Sequence, residues 1–143
     1  MPLYFAYGSN MDAAAMAGRC PDSRPLGLAR LDRHRFLVMR SGYASVRPDP
    51  AGAVWGLLWD LAAADEPALD RYEEVDAGLY DKAWRTVTAE AGMVRALVYL
   101  GRDPEPGTPQ PGYGEAVLAA AEAAGVPAAY LEELRGRLAG APA

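Results

Sequence analysis

The chain has 143 residues, 51% of them hydrophobic and 23% charged, with a formal net charge of −5 at pH 7. That is enough chain to bury a continuous core as a single domain spanning residues 1–143, and the composition argues against disorder. A single lysine, Lys82, and arginines scattered along the chain as solvated surface disfavour a nucleic-acid partner, which needs clustered cations on its phosphates.

The only cysteine is Cys20, so no internal disulfide can form, and a structural thiol in a reducing compartment is expected. No apolar run approaches the ~20 residues of a membrane span, and the N-terminus lacks the pattern of a signal peptide. The expectation is a soluble cytoplasmic protein with no membrane partner.

Leu3 to Tyr7 reads as an apolar strand that breaks into Gly8-Ser9-Asn10. Asp12 can cap a short helix from Ala13 to Gly18, and Cys20 to Pro25 reads as loop. Leu26, Leu28 and Leu31 begin a second strand, and Phe36 to Met39 a third. Pro48-Asp49-Pro50-Ala51-Gly52 has turn composition and separates a Tyr43–Val46 run from Val54–Trp59, a nearly continuous apolar strand expected at the centre.

Ala62 to Tyr72 has helical periodicity, with Leu61, Ala64, Ala68 and Leu69 on one face and Asp65 and Glu66 near the start, where acids suit the helix dipole. Glu73 then falls at its C-terminal end. Trp84–Val87 and Val94–Leu100 form a hairpin around Glu90-Ala91-Gly92, and Pro104 to Pro111 is a loop holding four prolines. Two helices follow, Tyr113–Ala124 and Pro127–Leu138, before a Gly140–Ala143 tail expected to fray. Mostly antiparallel strands with peripheral helices make the fold class α+β.

The standard catalytic constellations are poorly supported. His34 is the only histidine and sits between two arginines, so neither a metal cluster nor a Ser-His-acid triad is expected; Ser9 also lacks the following glycine of a nucleophile elbow. Gly8 starts no phosphate-loop or dinucleotide fingerprint. What remains is carboxylate chemistry assisted by backbone donors. Small residues after a strand can aim successive N–H groups into one concavity. Glu73 and Glu74 lie among Tyr72, Val75, Leu79 and Tyr80, where a desolvated carboxylate would have a raised pKa and could shuttle protons near neutrality.

Both regions together resemble the γ-glutamylcyclotransferase family. The likeness is carried by Tyr7-Gly8-Ser9-Asn10 and by Leu69-Asp70-Arg71-Tyr72-Glu73. It continues through Val54–Trp59, Gly78-Leu79-Tyr80, Tyr99-Leu100, Pro109-Gln110, Tyr113, Gly125-Val126-Pro127 and Tyr130, nearly the whole chain. The resemblance implies a small mixed β-barrel flanked by helices and a cofactor-free, metal-free reaction. In it the α-amine of a γ-glutamyl compound attacks its own γ-carbonyl, releasing 5-oxoproline and a free amino acid or amine.

By that resemblance Glu73 is the general acid/base, and Tyr4, Phe5, Ala6, Tyr7, Gly8, Ser9 and Asn10 line the substrate site, with Tyr80 and Tyr113 hydrogen-bonding across it. Glu74 stands where a glycine often follows the glutamate, and the loop reads YGSN where the glutathione-specific branch resembles YGSL. Two other readings stay open: a carboxylate-dependent amide hydrolase or acyl transferase, and a non-catalytic ligand-binding domain. A homodimer also stays open, with Trp55 and Trp59 both in the core or one at an interface.

Overall fold

The computed structural model describes residues 2–139, so the Gly140–Ala143 tail lies outside the described residues. Five strands close into a barrel: β1 (Leu3–Ala6), β2 (Arg24–Val38), β3 (Ala44–Asp60), β4 (Tyr80–Ala89) and β5 (Gly92–Gly101), neighbouring one another in the order β1-β3-β2-β4-β5. The joins are antiparallel except the closing one, where β1 and β5 run parallel with Tyr4 opposite Leu97. The barrel is therefore mixed, with short joins at β2–β4 and β1–β5. Phe5, Leu31, Phe36, Val54 and Leu97 are among the side chains buried in its core.

Four helices flank it: α1 (Ala13–Arg19), α2 (Glu66–Tyr72), α3 (Tyr113–Ala124) and α4 (Ala128–Leu138). They contribute Met16, Leu69, Val117 and Leu134 to the same apolar cluster. Among the described residues, no helix is long and apolar enough to cross a membrane.

Two expected boundaries are absent. The strands read on either side of Arg33 are one continuous β2, and the Pro48–Gly52 stretch separates no strands but lies within β3. Asp32 pairs with Ala53 and His34 with Pro48, so Asp49 to Gly52 bow outward opposite Arg33 alone. The turn chemistry there is real, because Asp49 Oδ1 accepts from the Ala51 amide at 3.0 Å, and Arg33 absorbs the irregularity in the left-handed region at φ 60°. Composition identified a turn but could not show that pairing resumes on both sides of it.

Smaller corrections have similar causes. The 62–72 helix divides into a 3-10 turn, Ala63–Asp65, and α2. Asp65 lies in that first turn as expected, and its carboxylate is also buried, accepting from the Asp22 amide at 2.9 Å and Ser23 Oγ at 2.8 Å, while Ala64 is exposed. Strand β2 starts at Arg24, inside the expected loop, and Met39 makes an isolated bridge to Pro106 rather than extending the strand. Asp12 caps α1 as expected, its Oδ1 accepting from the amides of Ala14 and Ala15.

The β1–β3 contact requires glycine at position 56. A Cβ there would lie 2.3 Å from the Ala6 carbonyl oxygen and 2.9 Å from the Phe5 ring, and a paired backbone cannot retreat. Gly56→Ala is therefore expected to cost about 1–3 kcal/mol and lower the melting temperature by several degrees. Gly136→Ala in α4, where a Cβ meets nothing within 4 Å, is expected to gain up to ~1 kcal/mol. Thermal denaturation of the two variants checks both directions.

Candidate active site

Strand β1 ends at Ala6, and the chain turns across the barrel mouth as Tyr7-Gly8 and a 3-10 turn, Ser9–Met11. The Gly8 carbonyl accepts from the Met11 amide at 3.1 Å, and that of Ser9 from the Asp12 amide at 3.1 Å. Tyr7 donates its phenolic proton to the Tyr99 carbonyl on β5, and Trp59 Nε1 donates to the Asn10 carbonyl at 3.1 Å. The loop is thus tied to two barrel strands. Among the described hydrogen bonds, the amides of Gly8 and Ser9 donate to nothing, as expected where a helical turn opens. Gly8 passes close to α3: a Cβ on it would lie 3.2 Å from the Tyr113 hydroxyl.

The opposite wall comes from the end of α2. Glu73 is its C-terminal cap, its amide donating to the Leu69 carbonyl at 2.9 Å, and Glu74 follows in the left-handed region at φ 52°. This reversal parts the adjacent carboxylates. Glu73 is half-buried in the cavity, whereas Glu74 is exposed at its mouth.

The cavity holds about 220 Å³, and every tyrosine of the chain except Tyr130 lines it. Burial pushes the Glu73 carboxyl up from the ordinary 4.5 to about 7, with the Arg19 guanidinium pulling the other way. Asn10 Nδ2 donates to Glu73 Oε1 at 3.4 Å and to the Tyr4 hydroxyl at 3.1 Å.

Burial also raises the phenols of Tyr4, Tyr7, Tyr80, Tyr99 and Tyr113 above their ordinary value, so they serve as neutral hydrogen-bonding groups. Their protons are committed differently. Tyr80 donates to the Ala44 carbonyl, whereas Tyr113 accepts from the Ala44 amide at 3.2 Å and keeps its own proton to offer inward.

Of the residues singled out from the sequence, Glu73, Tyr4, Tyr7, Gly8, Ser9, Asn10, Tyr80 and Tyr113 line this one cavity. Phe5 and Ala6 do not: both are buried in the apolar core, Phe5 with its ring against Gly56, and neither presents a side chain to the site.

Tyr43, Tyr99 and Arg19 are not assigned to the site by the sequence reading. Eight tyrosines against two phenylalanines was the available signal, because a buried tyrosine needs a partner for its hydroxyl where phenylalanine needs none. Arg19 carried no signal, and it is not a solvated surface arginine: it is half-buried, with its guanidinium carbon 3.6 Å from the Tyr72 ring centre.

His34 takes no part, its Nδ1 bonding to the Asp32 carbonyl at 2.9 Å. Cys20, the C-terminal cap of α1, is buried, and burial lifts its thiol to about 11, which makes it unreactive. Among the described residues, no three His, Cys, Asp or Glu side chains group as metal ligands would.

The raised Glu73 pKa has a stability consequence. The folded state favours the neutral acid, so between about 4.5 and 7 it holds more protons than the unfolded chain, and stability falls as pH rises through that window. Glu73→Gln carries no such charge. Its melting temperature relative to the parent protein is expected to be higher at pH 8 than at pH 4, as read by thermal denaturation at both pH values.

Residues 53–134, from within β3 to within α4, match the AIG2-like family. The γ-glutamylcyclotransferase of Homo sapiens is 28% identical over a 144-residue alignment covering 93% of this chain and 77% of that protein. That of Mus musculus is 30% identical over the same shares of the two chains. A solved structure named γ-glutamyl cyclotransferase superposes with a TM-score of 0.88 at 27% identity, covering 99% of this chain and 89% of the other. By sequence and by fold alike, the chain belongs to the AIG2-like, γ-glutamylcyclotransferase family.

Proposed function

We propose that the chain, acting as a single domain, is a γ-glutamyl cyclotransferase that converts a γ-glutamyl amino acid or amine to 5-oxoproline and the free amine, with Glu73 as general acid and base. The observation that carries the reading is one carboxyl, raised to about 7 by burial, facing the Tyr7–Asn10 loop across a tyrosine-lined cavity. Family membership supports the reaction class, and the site chemistry fits it.

In this reaction the nucleophile is the substrate's own α-amine. Its nitrogen attacks the γ-carbonyl carbon, forming the ring C–N bond and a tetrahedral intermediate with an oxyanion. The Glu73 carboxylate takes the proton released from the attacking nitrogen and then gives it to the leaving nitrogen. The original amide C–N bond breaks, the carbonyl re-forms, and 5-oxoproline and the amine depart. Atoms and charge balance without a co-reactant.

Holding the substrate folded makes the attack effectively unimolecular, which can supply much of the rate. The free amides of Gly8 and Ser9 and the uncommitted Tyr113 proton are the donors available to the oxyanion or the substrate carboxylate. A carboxyl poised near neutrality suits both halves of the proton transfer, because it neither holds nor refuses the proton strongly. A cytoplasmic setting belongs to the same reading, supported by the single, unpaired Cys20 thiol.

Incubation with a panel of γ-glutamyl amino acids and amines, followed by mass spectrometry, tests the reaction: 5-oxoproline is expected, and free glutamate would instead mean hydrolysis. N-acetylation of the substrate should abolish turnover, because only cyclisation needs the α-amine. Glu73→Gln is expected to lower kcat by ~10²–10⁴-fold with little change in binding. Near-parental rates in that variant, with Glu74→Gln inactive, would move the role to the neighbour. With a substrate whose amine is kept deprotonated, kcat/KM should rise with pH through an apparent pKa near 7 as Glu73 ionises, and the rise should be absent in Glu73→Gln.

A further inference from the structure

Helix α1 ends at Arg19, beside the loop that Asp12 links to it. One terminal nitrogen of the Arg19 guanidinium donates to Asn10 Oδ1, while the guanidinium plane lies over the Tyr72 ring at 3.6 Å. Tyr72 is held in turn through its hydroxyl, 2.9 Å from Ser9 Oγ. A guanidinium has donors and no acceptor. Only the oxygen end of the Asn10 amide can face it, so the NH₂ end must face the other way, into the cavity. There Nδ2 meets the Tyr4 hydroxyl and Glu73 Oε1. Trp59 separately anchors the Asn10 backbone. The freedom left to this side chain is the half-turn that exchanges its oxygen and its NH₂, and Arg19 blocks that exchange.

We propose that Arg19 is a positioning residue that fixes the orientation of the Asn10 amide and so keeps a hydrogen-bond donor, rather than an acceptor, against the Glu73 carboxyl. A donor favours the carboxylate, the form that can take a proton, and an acceptor favours the acid. At 3.4 Å the bond itself is weak, so the sign of the dipole presented to Glu73 matters more than the bond strength.

The titratable and charged groups around Glu73 come from every neighbouring element: Arg19 from α1, Tyr4 from β1, Tyr7 from the loop, Tyr43 from the β2–β3 connection, Tyr72 from α2, Tyr80 from β4, Tyr99 from β5 and Tyr113 from α3, with Glu74 at the mouth. Arg19 is the cation among them. It therefore acts both by its field and through Asn10, and the two routes can be separated.

The experiment follows the ¹³C shift of the Glu73 carboxyl with pH by NMR in the parent protein, Arg19→Met, Asn10→Ala and the double variant. Met keeps an unbranched, polarisable chain over Tyr72 and removes the donors. The midpoint is expected to rise by about half a unit or more in Arg19→Met, and by clearly less when the same change is made on Asn10→Ala, because the two residues share one route. Equal shifts in both backgrounds would reduce Arg19 to its field alone and overturn the proposal. An unmoved midpoint with only a lower melting temperature would make it structural and overturn it as well.

Should Arg19→Met not fold, Arg19→Gln carries the same comparison in the parent and Asn10→Ala backgrounds, since its amide removes the charge and can present an acceptor to Asn10. A clearly smaller shift on Asn10→Ala supports the proposal, and equal shifts overturn it. Under the cyclotransferase reading, on which this part alone rests, kcat in Arg19→Met falls ~10-fold with KM within about twofold. The titration needs no turnover, so a failure of that reading would show as silence with every γ-glutamyl substrate while the NMR result still judges Arg19.

Discussion

Strand β1 is four residues long, yet it pairs on both edges, with β3 along its length and with β5 at Tyr4, and the barrel closes only through it. A strand this short has little pairing strength of its own, so its place depends on the fit of its neighbours. Gly56 admits the Ala6 carbonyl, and Phe5 fills the space beside it. The Tyr7–Asn10 loop begins where β1 ends, which makes barrel closure and the position of the loop amides one event. Any change that loosens the β1–β3 seam acts on the site before it acts on the rest of the core.

The cavity meets a conflicting pair of needs. It must be polar enough to hold a charged ligand such as the proposed γ-glutamyl substrate, yet dry enough to raise a carboxyl toward neutrality. Tyrosine satisfies both, because it brings a large apolar body and a single hydroxyl that burial keeps protonated. Most of those hydroxyls are already engaged with backbone or side-chain partners, such as Tyr7 with Tyr99, Tyr80 with Ala44 and Tyr99 with Asp70. The lining is therefore polar but rigid, and Glu73 is the group in it whose charge changes near neutral pH.

The sequence made much of this visible where local chemistry decides the outcome. The β1 strand, the Asp12 cap, the β4–β5 hairpin and the bounds of α3 follow from residue type and spacing within a few positions. The loop and Glu73 could be read because each is a compact motif. Features set by contacts distant in the chain were hidden. The bulge opposite Arg33 looks like a turn until its pairing partners are known, and Asp65 looks like a helix-start acid alone until Ser23 is placed beside it. Arg19 and Tyr99 belong to the site only because the barrel brings α1 and β5 to the same end. Phe5 and Ala6 were assigned to the site by their place in the motif, and they are not among the residues that line the cavity.

Tyr99 links both walls of the cavity to a single point on β5. Its carbonyl holds the Tyr7 hydroxyl, and its own hydroxyl holds Asp70, one turn before Glu73 on α2, at 2.6 Å. Tyr99 thus adds an indirect tie between the loop and the end of α2 to the direct Ser9–Tyr72 and Asn10–Glu73 hydrogen bonds. The β4–β5 turn lies some seven residues away along the ladder, roughly 23 Å at ordinary strand rise. Thr88 and Ala89, beside that turn, carry the described pairing of β4 to β2. Length changes at that hairpin therefore have to spare a barrel join, even though they lie far from the cavity.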